Sequence, residues 1–346
     1  MPVIKSKIEE AVSRLNLDLS GKVVLTEAAT GAYIVTPVIA ALAGAEVYAF
    51  TRDTRYGSVD DVRKQTNDLL EQFGERNLSI SILDKLTPEV IAKADIITNS
   101  GHLRPLNSEK LQHAKNTVVI PLMYEGWEWR DADLDIDYCK AKEIVIGATN
   151  ERHPDVDVFN YLGDMAVKQI FDAGLCPYKN KFVLICNNDF GPFMAKVIAR
   201  NCDQLAVIDK EENKGKYDMS NIDWIGNFPD ISIPEKYKNA EAIIFTAYPF
   251  DQNWIGDDSP ISVQKIKDQF HNPLVLRYAG DIDTDSFDRN KVRYFPEHVH
   301  SGHMGILPSA IGNDPIIRLQ SGGLKVGELL TRKETKHKGI SLVDFI

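Results

Sequence analysis

Three histidines, His298, His300 and His303, crowd the segment EHVHSGH, the densest group of titratable side chains in the chain. Imidazole titrates near neutrality and suits the proton exchange that accompanies hydride transfer at a carbonyl. His303 is the candidate acid/base, with His300 beside it, because Gly302 and Gly305 nearby allow a ligand to come close. The same His-x-His and His-x-x-His spacing can ligate zinc. No companion cysteine and no His-Glu-x-x-His helix accompanies it, so no metal is expected. A polar loop of solvated histidines is the plainer alternative. Arg277 directly follows a buried-looking apolar run. Its guanidinium can clamp a substrate carboxylate through two hydrogen bonds or serve in an ion pair.

A second constellation lies in Lys181–Lys210, KFVLICNNDFGPFMAKVIARNCDQLAVIDK. The apolar run Phe182–Cys186 has the length of a buried strand. The turn Asn187-Asn188-Asp189 follows, then Phe190-Gly191, a helix with Phe193, Val197 and Ile198 at helical spacing, and a second strand ending on Asp209. Strand, turn, helix, strand is the unit that holds a dinucleotide, with a carboxylate about twenty residues on for the ribose hydroxyls. Gly191 stands where the helix must pack close to the sheet. Cys186 and Asn188 replace the first two glycines of the usual fingerprint, and a unit used only as architecture is the alternative. Asp209 favours NAD over NADP, since a carboxylate there repels a 2′-phosphate.

Further candidates lie in the first half. Glu27 in the turn TEAATG would repel a phosphate at a helix N-terminus, which argues for a substrate with an amine or hydroxyls rather than a second dinucleotide. Asn99 and His102 in NSGH, and Glu125 and Trp127 in YEGWEW, would line the same wall.

These residues need elements to position them. Gly21–Asp53 repeats the strand–turn–helix–strand pattern, and alternating strands and helices continue to Ile146. That rhythm implies an α/β chain of two doubly wound, Rossmann-like domains with mostly parallel sheets and a cleft between them. Ligands of such sheets bind off the carboxyl ends of the strands, here Thr26–Gly31, Thr51–Tyr56, Asn99–His102 and Tyr124–Trp127. A substrate domain is expected over 1–155, completed by 306–346. A linking helix is expected over 156–177, and a dinucleotide domain over 178–305.

Length and charge set outer limits. The chain has 346 residues and a formal net charge of −10, which argues against a nucleic-acid surface. No apolar run approaches a membrane span, the N-terminus does not read as a signal peptide, and four dispersed cysteines form no Cys-x-x-Cys pair. A reducing cytoplasm and a small-molecule partner, with neither nucleic acid nor membrane, are the expectation.

In this order of elements the chain resembles the formate/glycerate dehydrogenase architecture. That group holds the D-isomer-specific 2-hydroxyacid dehydrogenases and, more distantly, the S-adenosylhomocysteine hydrolases. ADIITNSGHLRPLNSEKL resembles the substrate-meeting loop of the first domain. FTAYP, with Ala247, Tyr248 and Pro249, is similar to the strand end beside the cofactor. LRYAGDIDTDSF resembles the strand carrying the substrate-clamping arginine, and the histidine segment falls where that family keeps its acid/base. The resemblance implies an NAD-dependent oxidoreductase acting on a hydroxy/keto or amino/imino carbon, and a homodimer. A hydrolase or lyase that uses NAD transiently, or a non-redox metabolite-binding protein, are the alternatives.

Overall fold

Short runs of β-branched and aromatic residues, each followed by a turn and an amphipathic or apolar helix, build this chain, and a computed structural model describes residues 2–74 and 78–345. The chain divides into two units, Met1–Val158 with Gly312–Ile346 and Phe159–Ile311. In chain order the first unit contributes α1 (Pro2–Arg14), β1 (Val23–Glu27), α2 (Val35–Leu42), β2 (Glu46–Phe50), α3 (Val59–Glu71), β3 (Ile80–Leu83), α4 (Pro88–Lys93), β4 (Ile96–Ile97), α5 (Ser108–Leu111), β5 (Val119–Pro121), α6 (Ile136–Ala141) and β6 (Val145–Thr149). The second unit follows with α7 (Tyr161–Asp172), β7 (Lys181–Cys186), α8 (Phe190–Asn201), β8 (Gln204–Asp209), β9 (Ile222–Asn227) and β10 (Ala242–Thr246). It continues with β11 (Asn253–Gly256), β12 (Ile261–Ser262), α9 (Val263–Gln269), β13 (Leu274–Ala279), β14 (Asp281–Ile282), α10 (Thr284–Asn290) and β15 (Arg293–Phe295). The chain then returns to the first unit with α11 (Asp314–Thr331), β16 (Lys336–His337), β17 (Ile340–Ser341) and β18 (Val343–Phe345).

The first unit's main sheet runs β18-β6-β5-β4-β1-β2-β3. Its pairings are parallel except that of β18 with β6. The second unit's main sheet runs β15-β13-β10-β7-β8-β9, parallel throughout. The fold is therefore α/β with two mostly parallel sheets. Parallel sheets are covered on both faces, which is why β7 (KFVLIC) and β10 (AIIFT) read as unbroken apolar runs. α2 is buried over seven of its eight residues, with Pro37 in its first turn, where no amide is lost to the ladder.

Two departures bear on the site. The linking helix expected over 156–177 begins only at Tyr161, ends at Asp172 and belongs to the second unit. Asp157 adopts a left-handed φ of 55°, and the Val158 amide turns back to the Glu151 carbonyl at 2.9 Å. A helix cannot pass through that turn, which instead fixes the backbone of Glu151. The C-terminal strands β16 to β18, of two or three residues each, are too short to show a periodicity.

Candidate functional site

In the first unit, the parallel β1, β4, β5 and β6 deliver their carboxyl ends to one edge. Glu27 is the last residue of β1, pairs in register with Phe50, and is 6% exposed. Its Oε2 accepts the His102 amide at 3.1 Å. A Cβ at Gly101 would run into that same oxygen, so the close approach of this loop requires glycine. Asn99 is fully buried beyond β4. Its Nδ2 donates to the Tyr124 hydroxyl at 2.8 Å, and its Oδ1 accepts from Arg104 Nε at 3.0 Å. The Arg104 guanidinium also lies 4.9 Å from the Tyr124 ring centroid and pairs with Asp133 at 3.5 Å.

After β5, Glu125 accepts from Trp127 Nε1 at 2.6 Å, from Arg152 Nη1 at 3.0 and 3.2 Å, and from the Glu151 amide at 3.2 Å. Glu128 closes a reciprocal capping box with Glu125. Glu151, just beyond β6, is 8% exposed. Among the described residues no hydrogen bond reaches its carboxylate, and its electrostatic neighbours are Glu128, Glu125 and Arg152.

Burial raises the pKa of all four carboxyls, because charge is costly away from water. In Glu128 the value is pushed up to about 7. In Glu151 burial comes first, and the like charges of Glu128 and Glu125 push the same way. Tyr33 is pushed up to about 12, first by burial and then by Glu27, with Glu151 and Glu128 acting in the same sense. The Tyr33 phenol therefore stands within the field of three carboxyls. Thr51 Oγ1, just past β2 at this edge, is also buried with no hydrogen-bond partner among the described residues. Burial lowers the pKa of His102, and the Arg52 charge adds to it. Burial thus disfavours the charged form of each of these four carboxyls.

Of these groups the sequence singled out Glu27, Asn99, His102, Glu125 and Trp127. Tyr33, Arg104, Glu128, Glu151 and Arg152 were missed. The signal for Glu151-Arg152 was available, since the segment after β6 stands at the same carboxyl edge as the turns that were considered.

In the second unit the turn after β7 is filled by its own side chains. Asn187 clasps the Tyr248 backbone, accepting its amide at 2.7 Å and donating to its carbonyl at 3.2 Å. Asn188 Nδ2 donates to Thr246 Oγ1 at 3.0 Å, and Asn188 Oδ1 accepts the Phe190 amide at 3.1 Å. Asp189 stands at the N-cap of α8. The Phe190 ring is buried edge-on against Phe159, Phe250 and Tyr278. Ala247 is buried, its amide bound to the Ala279 carbonyl at 3.0 Å, and Tyr248 and Pro249 continue from it.

Asp209 is fully buried at the end of β8. Its Oδ2 accepts from the Tyr217 hydroxyl at 2.5 Å and from Asn213 Nδ2 at 3.0 Å, and its Oδ1 accepts the Lys210 amide at 2.7 Å. Burial raises its pKa against the pull of these donors. Cys186 Sγ lies 3.4 Å from the Tyr217 hydroxyl. A Cβ on Gly191 would collide with Cys186 Sγ and lie 2.5 Å from the Tyr217 hydroxyl. Gly191 thus has the close-packing part expected of it, but what it packs against is a Cys186–Tyr217–Asp209 knot.

The three histidines lie exposed on the loop after β15. His303 Nδ1 is 2.9 Å from the Ser301 carbonyl, and the His300 and His303 rings are 5.9 Å apart. Arg277 is 5% exposed and pairs with Asp281, while its Nε donates to the Gly280 carbonyl at 3.0 Å. Asp281 in turn accepts from Ser301 Oγ and the Gly302 amide. The Gly305 amide donates to the Tyr278 carbonyl at 2.8 Å, and a Cβ there would strike the Arg277 carbonyl. Gly305 is thus required by the packing of its loop onto β13, while Gly302 has a left-handed φ of 73°. Among the described residues no group of His, Cys, Asp or Glu is arranged to hold a metal ion.

No family model and no curated protein matches the chain. Solved structures do match it. A dipicolinate synthase chain from Bacillus halodurans superposes with a TM-score of 0.55 at 11% identity, over 91% of this chain and 98% of that one. The pyruvate reductase of Chlamydomonas reinhardtii gives 0.53 at 9% identity, over 91% and 98%. D-lactate dehydrogenase with NAD+ from Lactobacillus jensenii gives 0.50 at 12% identity, over 93% and 99%. These likenesses show that the chain shares the two-sheet α/β fold of these solved structures.

Proposed function

We propose that this chain binds a small amine-bearing metabolite at the carboxyl edge of the first unit's sheet. The observation that carries the reading is Glu151, a carboxylate more than nine-tenths buried, with no hydrogen-bond partner among the described residues, two further carboxyls in its field, and only Arg152, itself hydrogen-bonded to Glu125, acting against them. An isolated buried carboxylate costs several kcal/mol unless it is neutralised or paired. Glu125 has Arg152 and Trp127, and Glu27 has the His102 amide, but among the described residues no cation is hydrogen-bonded to Glu151 or Glu128. A protonated amine placed between them supplies the missing charge and donors, and the Tyr33 hydroxyl offers an acceptor beside it.

Isothermal titration with putrescine, and with the uncharged 1,4-butanediol as the isosteric control, tests this. Putrescine binds and the diol does not, and Glu151→Gln weakens putrescine by at least ~10-fold, the loss of one charge-assisted contact. Equal affinity for diamine and diol, or no effect of Glu151→Gln, removes the reading.

A second reading, an NAD-dependent oxidoreductase acting on a small polar metabolite, is supported by the shared fold and by the spacing from Gly191 to Asp209. On that reading His303 or His300 exchanges the proton. Arg277 would have to leave Asp281 to meet a substrate, and the dinucleotide would have to displace the side chains now in the turn after β7.

A further inference from the structure

We infer that the second unit keeps the dinucleotide-binding topology but is closed to the dinucleotide, with Asn188 bridging to Thr246 where a pyrophosphate would lie and the Tyr217 hydroxyl standing in for a ribose hydroxyl on Asp209. This inference is independent of the amine site in the first unit.

Three requirements of a bound dinucleotide meet three side chains. The pyrophosphate needs the backbone to be bare at the second fingerprint position, so that the ligand can reach the helix N-terminus. Asn188 holds that position, and its amide group is anchored at both ends, on Thr246 Oγ1 and on the Phe190 amide. The Phe190 N–H is one of those the fold would offer to a phosphate, and here it is consumed within the turn. Asp189, at the N-cap of the same helix, adds a carboxylate where an anion would approach.

The ribose needs a free carboxylate at the end of the second strand. Asp209 has no exposed surface, and both of its oxygens already accept hydrogen bonds, from Tyr217, Asn213 and the Lys210 amide. Tyr217 gets there because the 3₁₀ turn Glu211–Lys216 carries the chain back over the strand end. A tyrosine hydroxyl donating to a carboxylate repeats the contact that a ribose hydroxyl would make, so ligand and side chain compete for one acceptor. Finally, Cys186 at the first fingerprint position puts its sulfur under Gly191, beside the Tyr217 hydroxyl. The knot is therefore braced from below by the strand itself. Opening it would expose Asp209 and leave Cys186 without its partner, and a pyrophosphate would in addition have to break the Asn188 contacts to Thr246 and the Phe190 amide, losses that a ligand must offset before it gains a contact.

The test uses the full chain and NADH and NADPH as probes, followed by nicotinamide fluorescence and by the shift in melting temperature. Neither probe gives saturable binding to the wild-type protein up to about 1 mM, while a cooperative melt shows the protein folded. One-to-one binding of either probe below that concentration overturns the inference. The double variant Asn188→Gly with Tyr217→Ala removes both obstructions, and NADH binding to it tightens by at least ~10-fold over wild type. If that variant melts cooperatively and still fails to bind, these side chains are not what closes the site and the inference falls. If it does not fold, the wild-type titration alone decides between the two outcomes.

Discussion

Glu128 ties stability to pH in a direction opposite to most carboxylates. Its side chain is pushed up to about 7 from an ordinary 4.5, chiefly by burial, with Glu125 adding like charge. A carboxyl whose pKa is raised on folding holds its proton in the native state when the unfolded chain has already released it. The native state then binds more protons between the two values, and stability falls as pH rises through that window. A carboxyl raised from 4.5 to about 7 corresponds to ~3 kcal/mol, and ~2–3 kcal/mol of it is lost between about pH 5 and pH 8. Glu128→Gln removes this titration while keeping the shape. Urea unfolding followed by tryptophan fluorescence, in steps from about pH 5 to pH 8, compares the two proteins, with Trp127 and Trp129 lying beside the group. Wild type loses ~2–3 kcal/mol more than Glu128→Gln across the range. Parallel profiles, or a wild type that gains stability with rising pH relative to the variant, would refute the buried carboxyl cluster.

Two substitutions probe the loops that hold the sites. Arg277→Ala leaves Asp281 charged and buried, and lowers unfolding stability by ~3–5 kcal/mol in urea titrations. An unchanged midpoint would mean that the Arg277–Asp281 pair does not hold the histidine loop. Gly101→Ala drives a methyl group into Glu27 Oε2, costs ~1–3 kcal/mol by the same assay, and weakens putrescine binding. A neutral result would show that the His102 loop does not depend on close approach to Glu27.

The architecture was legible because both sheets are parallel. Strands buried on two faces leave unbroken apolar runs such as Phe182–Cys186 and Ala242–Phe245, and each helix between them leaves a 3.6-residue pattern. Site chemistry was legible only where one residue acts through its place in a turn. Glu27 and Glu125 were found because they follow a strand. Their partners Tyr33, Glu151 and Arg152 come from separate segments that only the folded sheet edge brings together. Asp209 shows the converse, since its spacing from Gly191 is that of a ribose ligand. Nothing at Asp209 itself announces that Tyr217, eight residues on, returns to occupy it. Beside His303, Gly305 packs against the Arg277 carbonyl, a contact that the local sequence does not announce. In each case local sequence fixed position along the chain, while the partner came from a distant segment.

The central claim is that buried, protonated carboxyls in the first unit await a cation, and proton release on binding tests it most directly. Putrescine titrated near pH 6 in buffers of differing ionisation heat gives the number of protons set free. An amine seated beside Glu128, whose carboxyl is pushed up to about 7, drives its proton out, so up to about one proton per bound amine is released, falling off as pH rises past about 7. Binding with no proton release near pH 6, or with uptake, would contradict the account.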